Sequence, residues 1–310
     1  MRYNNCKRFA KTLRGLNIIK KAKQKCLSYN NIGALRLFFQ KLKKEKRMMD
    51  GFMPLLYAFL GTLVTLAGTM AGSALVFFTK KELSLRTEKL FLGFASGVMI
   101  AASVWSLLLP AMEYSVTAGT PQWLPAGAGF LLGSGFLLVL DKVMPHQHRS
   151  GIIEGPSSRL KKSTKLIFAV TLHNFPEGMA VGLAFAIAAA GGNISYAAAF
   201  ALAVGIAIQN LPEGAVISLP LRNEGFSRKR AFFYGTLSGL AEPIAGVLAA
   251  LVAYITLLVI PWVLSFAAGA MIYVVIDELV PNSQDEHTDI GTIGAIAGFV
   301  LMMLLDVVLG

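Results

Sequence analysis

The chain has 310 residues, of which 55% are hydrophobic and only 15% charged, against about 25% charged in an ordinary soluble domain. This excludes a disordered chain, a disulfide scaffold and a typical soluble enzyme, and points to an all-α, polytopic membrane protein. The formal charge of +12 is local: residues 1–50 hold 15 of the 29 Lys and Arg but only two of the 17 acids, leaving 14 bases against 15 acids from Gly51 onward, so the basicity is no sign of nucleic-acid binding.

The first 50 residues read as a basic extension, with apolar runs too short to cross a bilayer and bases too scattered for a secretory signal. Both cysteines, Cys6 and Cys26, lie in it, so the apolar body offers no thiolate site. Two readings stand side by side: a disordered arm on anionic lipid, or a misassigned start, with Met48-Met49 as the true one.

Residues 51–310 read as one transmembrane domain of eight helices, roughly 52–79, 90–113, 123–141, 165–190, 194–221, 231–257, 261–281 and 290–309. Each run is long enough to span, and in lipid a span must satisfy its own backbone, hence helices. Turn chemistry at Thr120-Pro121, Gly191-Gly192-Asn193 and Pro261-Trp262 separates them. All 14 bases of the body fall in the first, third and fifth loops, among them Lys89, Lys142 and Arg222. The excess of bases places those loops in the cytoplasm of a cell-membrane protein and both termini outside. A +13 tail outside conflicts with the same rule, and a later start removes the conflict.

Two hexapeptides echo each other on the fourth and fifth spans: His173-Asn174-Phe175-Pro176-Glu177-Gly178 and Gln209-Asn210-Leu211-Pro212-Glu213-Gly214. His173 and Glu177 share a helix face, as do Gln209 and Glu213, while Asn174 and Asn210 sit about 100° round. Pro176 and Pro212 deprive the carbonyls of Leu172 and Ile208 of their helical donors. Freed carbonyls and kinks inside a membrane line cavities and ion sites. A third acid, Glu242, precedes Pro243 on the sixth span. Three intramembrane acids with no Lys or Arg in any span must be neutralised by protons or by cations, since each costs about 2.5–3.5 kcal/mol to insert as a charge. With one imidazole and three amides beside them, the donors suit Zn²⁺, Fe²⁺, Mn²⁺ or Co²⁺ rather than Cu⁺. Interhelical glue is the plainer reading of any one of these groups, but it accounts poorly for all seven.

These residues, with Ser238-Gly239-Leu240-Ala241-Glu242-Pro243 and Gly269-Ala270-Met271-Ile272-Tyr273, resemble the ZIP family of divalent-metal transporters, and most its prokaryotic GufA branch, over about residues 52–310. The resemblance implies a 3+2+3 inverted-repeat bundle of eight helices and inward movement of Zn²⁺ or a similar ion, with Cd²⁺ among the candidates, through a binuclear site. It implies His173, Glu177, Gln209 and Glu213 as one metal site. It implies Asn174, Glu177, Asn210, Glu213 and Glu242 as a second, with the two glutamates bridging and Met99 on the second span as a further ligand. Gln209 stands where many members have His, and Asn210 where some have an acid. The expected partners are divalent metal ions and the lipid bilayer; the metal is cargo, no permanently bound cofactor is expected, and a homodimer is compatible with the family.

Other polar residues carry weaker signals. His146 and His148, in the third loop, are candidate metal acceptors set among bases. Asp277 and Glu278 are read with Asp285, Glu286, His287 and Asp289 as an acidic loop, solvated or part of an ion exit. Glu113 is read as an outer attractor for cations and Asp306 as interfacial. No GxxxxGK[ST] loop or HExxH motif is present. That argues against ATP drive and against the alternative of an intramembrane metal hydrolase; a second alternative is a metal sensor that does not transport.

Overall fold

The computed structural model describes residues 32–79, 83–117, 119–143, 146–147, 153–154, 162–255, 259–284 and 288–309. Two units separate, Met1–Gly51 and Phe52–Gly310. In the first, the described residues, 32–51, are helical; residues 1–31, with both cysteines, lie outside the description, as do His148, Asp285, Glu286 and His287.

The helices follow the apolar runs. In chain order they are α1 (Ile32–Ser73), α2 (Leu85–Ala102), α3 (Leu109–Thr117), α4 (Trp123–Val143), α5 (Lys162–Ala189), α6 (Tyr196–Asn223), α7 (Arg228–Gly239), α8 (Ala241–Ile255), α9 (Ile260–Val274), α10 (Val280–Ser283) and α11 (Ile290–Leu309). Among the described residues seven stretches are long and apolar enough to cross a membrane: Phe52–Phe77, Leu85–Val116, Trp123–Val143, Tyr196–Asn223, Arg228–Ala253, Ile260–Ser283 and Ile290–Leu309. The 28-residue α5, which carries the more polar hexapeptide, is the fourth of the eight expected spans. The chain is a multi-pass membrane protein.

Local chemistry sets the ends. The Ser84, Ser195 and Ser227 hydroxyls accept from the N–H groups of Thr87, Ala198 and Arg230, capping α2, α6 and α7. Gly191, at φ +73°, turns the chain out of α5. The sixth span is interrupted at Leu240, where Pro243 has no N–H for the Gly239 carbonyl. One small addition to the helical plan lies in the third loop, where β1 (His146–Gln147) pairs antiparallel with β2 (Ile153–Glu154).

The second and seventh spans each contain a wider π-turn, Ser103–Leu108 and Val275–Leu279, a device concentrated at functional sites. Their symmetry extends to the packing. The most extensive pairings are the second span with the eighth, the third with the seventh and the fourth with the sixth. The first lies against the fifth, where the Ser73 hydroxyl donates to the Gly214 carbonyl at 3.3 Å. Exchanging spans one to three with six to eight, and four with five, turns the 4–6 pair into 5–1 and the 2–8 pair into 7–3. The pairing therefore has the form of the expected inverted repeat.

The last glycine of each hexapeptide has a job in this scheme. A Cβ on Gly178 would collide with the backbone of Glu242, and one on Gly214 with the Thr69 carbonyl and Ser73. Each motif so ends where its helix touches the partner's backbone, as small residues allow in membranes.

Candidate metal site

The two hexapeptides face each other in antiparallel register. The Gln209 side-chain amide donates to Glu177 Oε1 at 2.5 Å. One turn along both helices, His173 and Glu213 are in electrostatic contact, and Glu213 also feels Glu177 and Glu242. The i, i+4 spacing of each motif thus sets Glu177 against Gln209 across the α5–α6 interface, with His173 and Glu213 in electrostatic range one turn on.

The asparagines turn towards the broken sixth span. Asn210 Nδ2 donates to Glu242 Oε1 at 2.9 Å and lies 3.3 Å from the Thr65 carbonyl. Thr69, from the first span, donates its hydroxyl to the same Glu242 oxygen at 3.2 Å. Asn174 Nδ2 donates to the Ser238 carbonyl at 3.1 Å. Asn174, Glu177, Gln209, Asn210 and Glu242 are all fully buried. Spans one, four, five and six therefore build one buried polar centre.

The polar atoms left over share one character. Asn174 Oδ1, Glu177 Oε2, Gln209 Oε1, Asn210 Oδ1, Glu213 Oε2 and Glu242 Oε2 are buried with no hydrogen-bond partner. Every one is an acceptor oxygen. Each such group costs about 1–3 kcal/mol when buried without a partner, and a cation satisfies several together. Among the described residues no three His, Cys, Asp or Glu side chains form a ready-made metal-holding group, so the amide oxygens are needed to complete the donor set. Carboxylate and amide oxygens with a single imidazole suit a borderline-to-hard divalent ion.

Glu278 adjoins this centre; the sequence, in which it reads as the close of the seventh span and part of an acidic stretch, does not reveal its contact with His173. It sits in the seventh-span π-turn, 4% exposed, and its carboxylate is 2.9 Å from His173 Nε2. Asp141, at the end of α4, is also buried and within electrostatic range of His173. A sequence signal for Glu278 existed: Leu279 and Val280 continue the apolar run past it to Pro281.

The remaining candidates are placed as follows. Met99 is fully buried in the main apolar cluster with Val98, Ala102 and Met271. Asp306 accepts a hydrogen bond at Oδ1 from the Ser106 hydroxyl at 2.7 Å. Both line a cavity of about 210 Å³ that also meets Glu113, Asn193 and Ser195. His146 lies in β1. Asp277 lies in the seventh-span π-turn, and Asp289 directly precedes α11.

Comparison with known proteins adds independent findings. The family model described as "ZIP Zinc transporter" matches residues 156–306. The zinc transporter ZIP11 of Xenopus tropicalis is 36% identical over 85% of this chain and 100% of its own length. The zinc transporter GufA of Myxococcus xanthus is 38% identical over 79% of this chain and 96% of its own. The zinc transporter ZIPB of Bordetella bronchiseptica is 38% identical over 82% of each.

Proposed function

The chain belongs to the ZIP family of zinc transporters, and from that premise we propose that it carries divalent transition-metal ions, Zn²⁺ foremost, across the membrane into the cytoplasm. The observation that carries the reading is the set of six buried, unpartnered oxygens on spans four, five and six. They ask for a cation, and three amides and three carboxylates give it a path of partial charges.

Residues take roles by position. His173, Glu177, Gln209 and Glu213 hold one ion, and Asn174, Asn210 and Glu242 join the two glutamates around a second. Thr69 and Ser238 orient Glu242 and Asn174. The cavity at Ser106, Glu113 and Asp306 is the outer mouth, on the side away from the basic loops. His173, Glu278 and Asp141 form the inner step, where an ion leaving the centre meets fresh carboxylates before the cytoplasm. Gln209 in place of an imidazole weakens the preference for Zn²⁺ over harder ions such as Mn²⁺. The basic extension lies outside the transporting domain and is dispensable for transport.

The hydrolase alternative finds no support, since the relatives are named as transporters and the centre holds a single histidine. The sensor reading differs from transport in one observable, accumulation. The test is uptake of Zn²⁺, Mn²⁺, Fe²⁺, Co²⁺ and Cd²⁺ into proteoliposomes, with Glu213→Gln and Glu242→Gln as blanks. Uptake by the native chain and its loss in both variants is the expected result. Metal binding without accumulation, or accumulation unaffected by both substitutions, overturns the proposal.

A further inference from the structure

A second cavity lies away from the metal centre. It is a groove of about 380 Å³ with two unlike walls. One wall comes from the third and seventh spans, with Gly129, Phe136 and Trp262; the other comes from the fourth and sixth, with Phe175, Met179 and Val252. Those are two of the extensive helix pairings, so the groove is the seam between pairs. Among the described residues lining it, none carries a charge, a hydroxyl or a carboxamide. Leu132, Leu248 and Val252 on its rim are exposed on the outside of the bundle, at the level of the spanning segments, where the solvent is hydrocarbon.

From this geometry we infer that the groove is a binding site for one acyl chain of a membrane phospholipid. Its size selects the occupant. A helix about 10 Å across has a cross-section of about 80 Å², so 380 Å³ corresponds to about 5 Å of helix, less than one turn. A whole helix, whether from a second copy or another protein, therefore does not fit inside it, and only its side chains could reach in. A methylene fills about the volume of a water molecule, ~30 Å³, so the groove takes on the order of a dozen methylenes, the scale of one lipid tail. Each buried methylene contributes through packing against the aromatic and aliphatic walls rather than by leaving water. The occupant touches Phe175, between Asn174 and Pro176, and so reaches the metal-bearing helix pair directly. The inference goes beyond metal transport and does not depend on it.

The test uses the full chain in detergent, followed by native mass spectrometry after delipidation and titration with phosphatidylcholine. Val252→Trp fills the groove mouth. Val139→Trp places the same bulk on the third span, at a residue that is likewise exposed but does not line the groove. The native chain and Val139→Trp should retain one phospholipid per chain, and Val252→Trp should lose it. Equal retention in both variants overturns the inference, and so does a dimer that Val252→Trp dissociates, which would assign the groove to a second copy. A second measurement leaves the groove intact. With Trp105→Phe and Trp123→Phe, Trp262 is the remaining tryptophan, and phosphatidylcholine brominated along its chains should quench it to saturation near one equivalent per chain. Quenching that rises only in proportion to the lipid fraction of the micelle contradicts the site.

Discussion

Gly178→Ala tests whether the hexapeptide glycine holds Glu242 in place. In an ordinary helix interior this substitution stabilises by about 1 kcal/mol. Here the new Cβ would lie within 3.0 Å of three backbone atoms of Glu242, where ordinary contact begins at 3.4 Å. Helix backbone cannot rotate aside as a side chain can, and the nearest of these atoms, the Glu242 carbonyl oxygen, would be 2.3 Å away, so α8 must move from α5 by about 0.7–1.1 Å. Overpacking of this kind costs about 1–3 kcal/mol, which reverses the usual sign. The displaced atoms carry a carboxylate of the proposed metal centre, and a misplacement near 1 Å costs up to about 100-fold in rate. Gly135→Ala is the control, because a Cβ there meets nothing within 4 Å. The assay is thermal unfolding in detergent beside Zn²⁺ uptake in proteoliposomes. Gly178→Ala should melt below the native chain and transport at least about tenfold more slowly, while Gly135→Ala matches or exceeds native stability and keeps its rate. Indistinguishable behaviour of the two variants refutes the reasoning.

Three further substitutions probe other contacts. Gln209→His replaces the proposed amide ligand by imidazole, so competition uptake should shift towards Zn²⁺ over Mn²⁺ by about tenfold, and an unchanged ratio would deny Gln209 a part in selectivity. Asn210→Asp sets a carboxylate where the amide now donates to Glu242 at 2.9 Å; the metal-free variant should lose about 1–3 kcal/mol of stability and regain it on Zn²⁺ addition, as melting curves with and without metal would show. For His173 and Glu278, 2.9 Å apart, a double-mutant cycle with Ala at each position should give a coupling of about 1–3 kcal/mol in unfolding free energy, and additive effects would deny the pair.

Much of the centre was legible because it is local. The i, i+4 spacing of His173 with Glu177 and of Gln209 with Glu213 is a property of one helix, and the prolines lie within the same turns. Glu242 was legible as an acid without a compensating base. What the sequence hid is tertiary. Nothing local says that Asn210, rather than Gln209, reaches Glu242, or that Thr69 arrives from the first span to share the same oxygen. Glu278 was legible as the close of the seventh span and part of an acidic stretch, but its contact with His173 was not. A π-turn re-aims it inward, and such turns leave no periodicity to read. The hexapeptide glycines look like generic small residues until the partner backbones are seen against them. The eight spans followed from apolar length alone, whereas the 3+2+3 pairing came from family likeness and is explained only by the packing of spans two, three and four against eight, seven and six.

The most direct measurement is anomalous diffraction at the zinc edge from crystals of the full chain grown with Zn²⁺. The account predicts a peak among Glu177, Glu213 and Glu242, about 2.0–2.2 Å from carboxylate oxygens, that disappears in Glu177→Gln with Glu213→Gln. Zinc bound only elsewhere on the chain, in a protein that still transports it, would contradict the central claim.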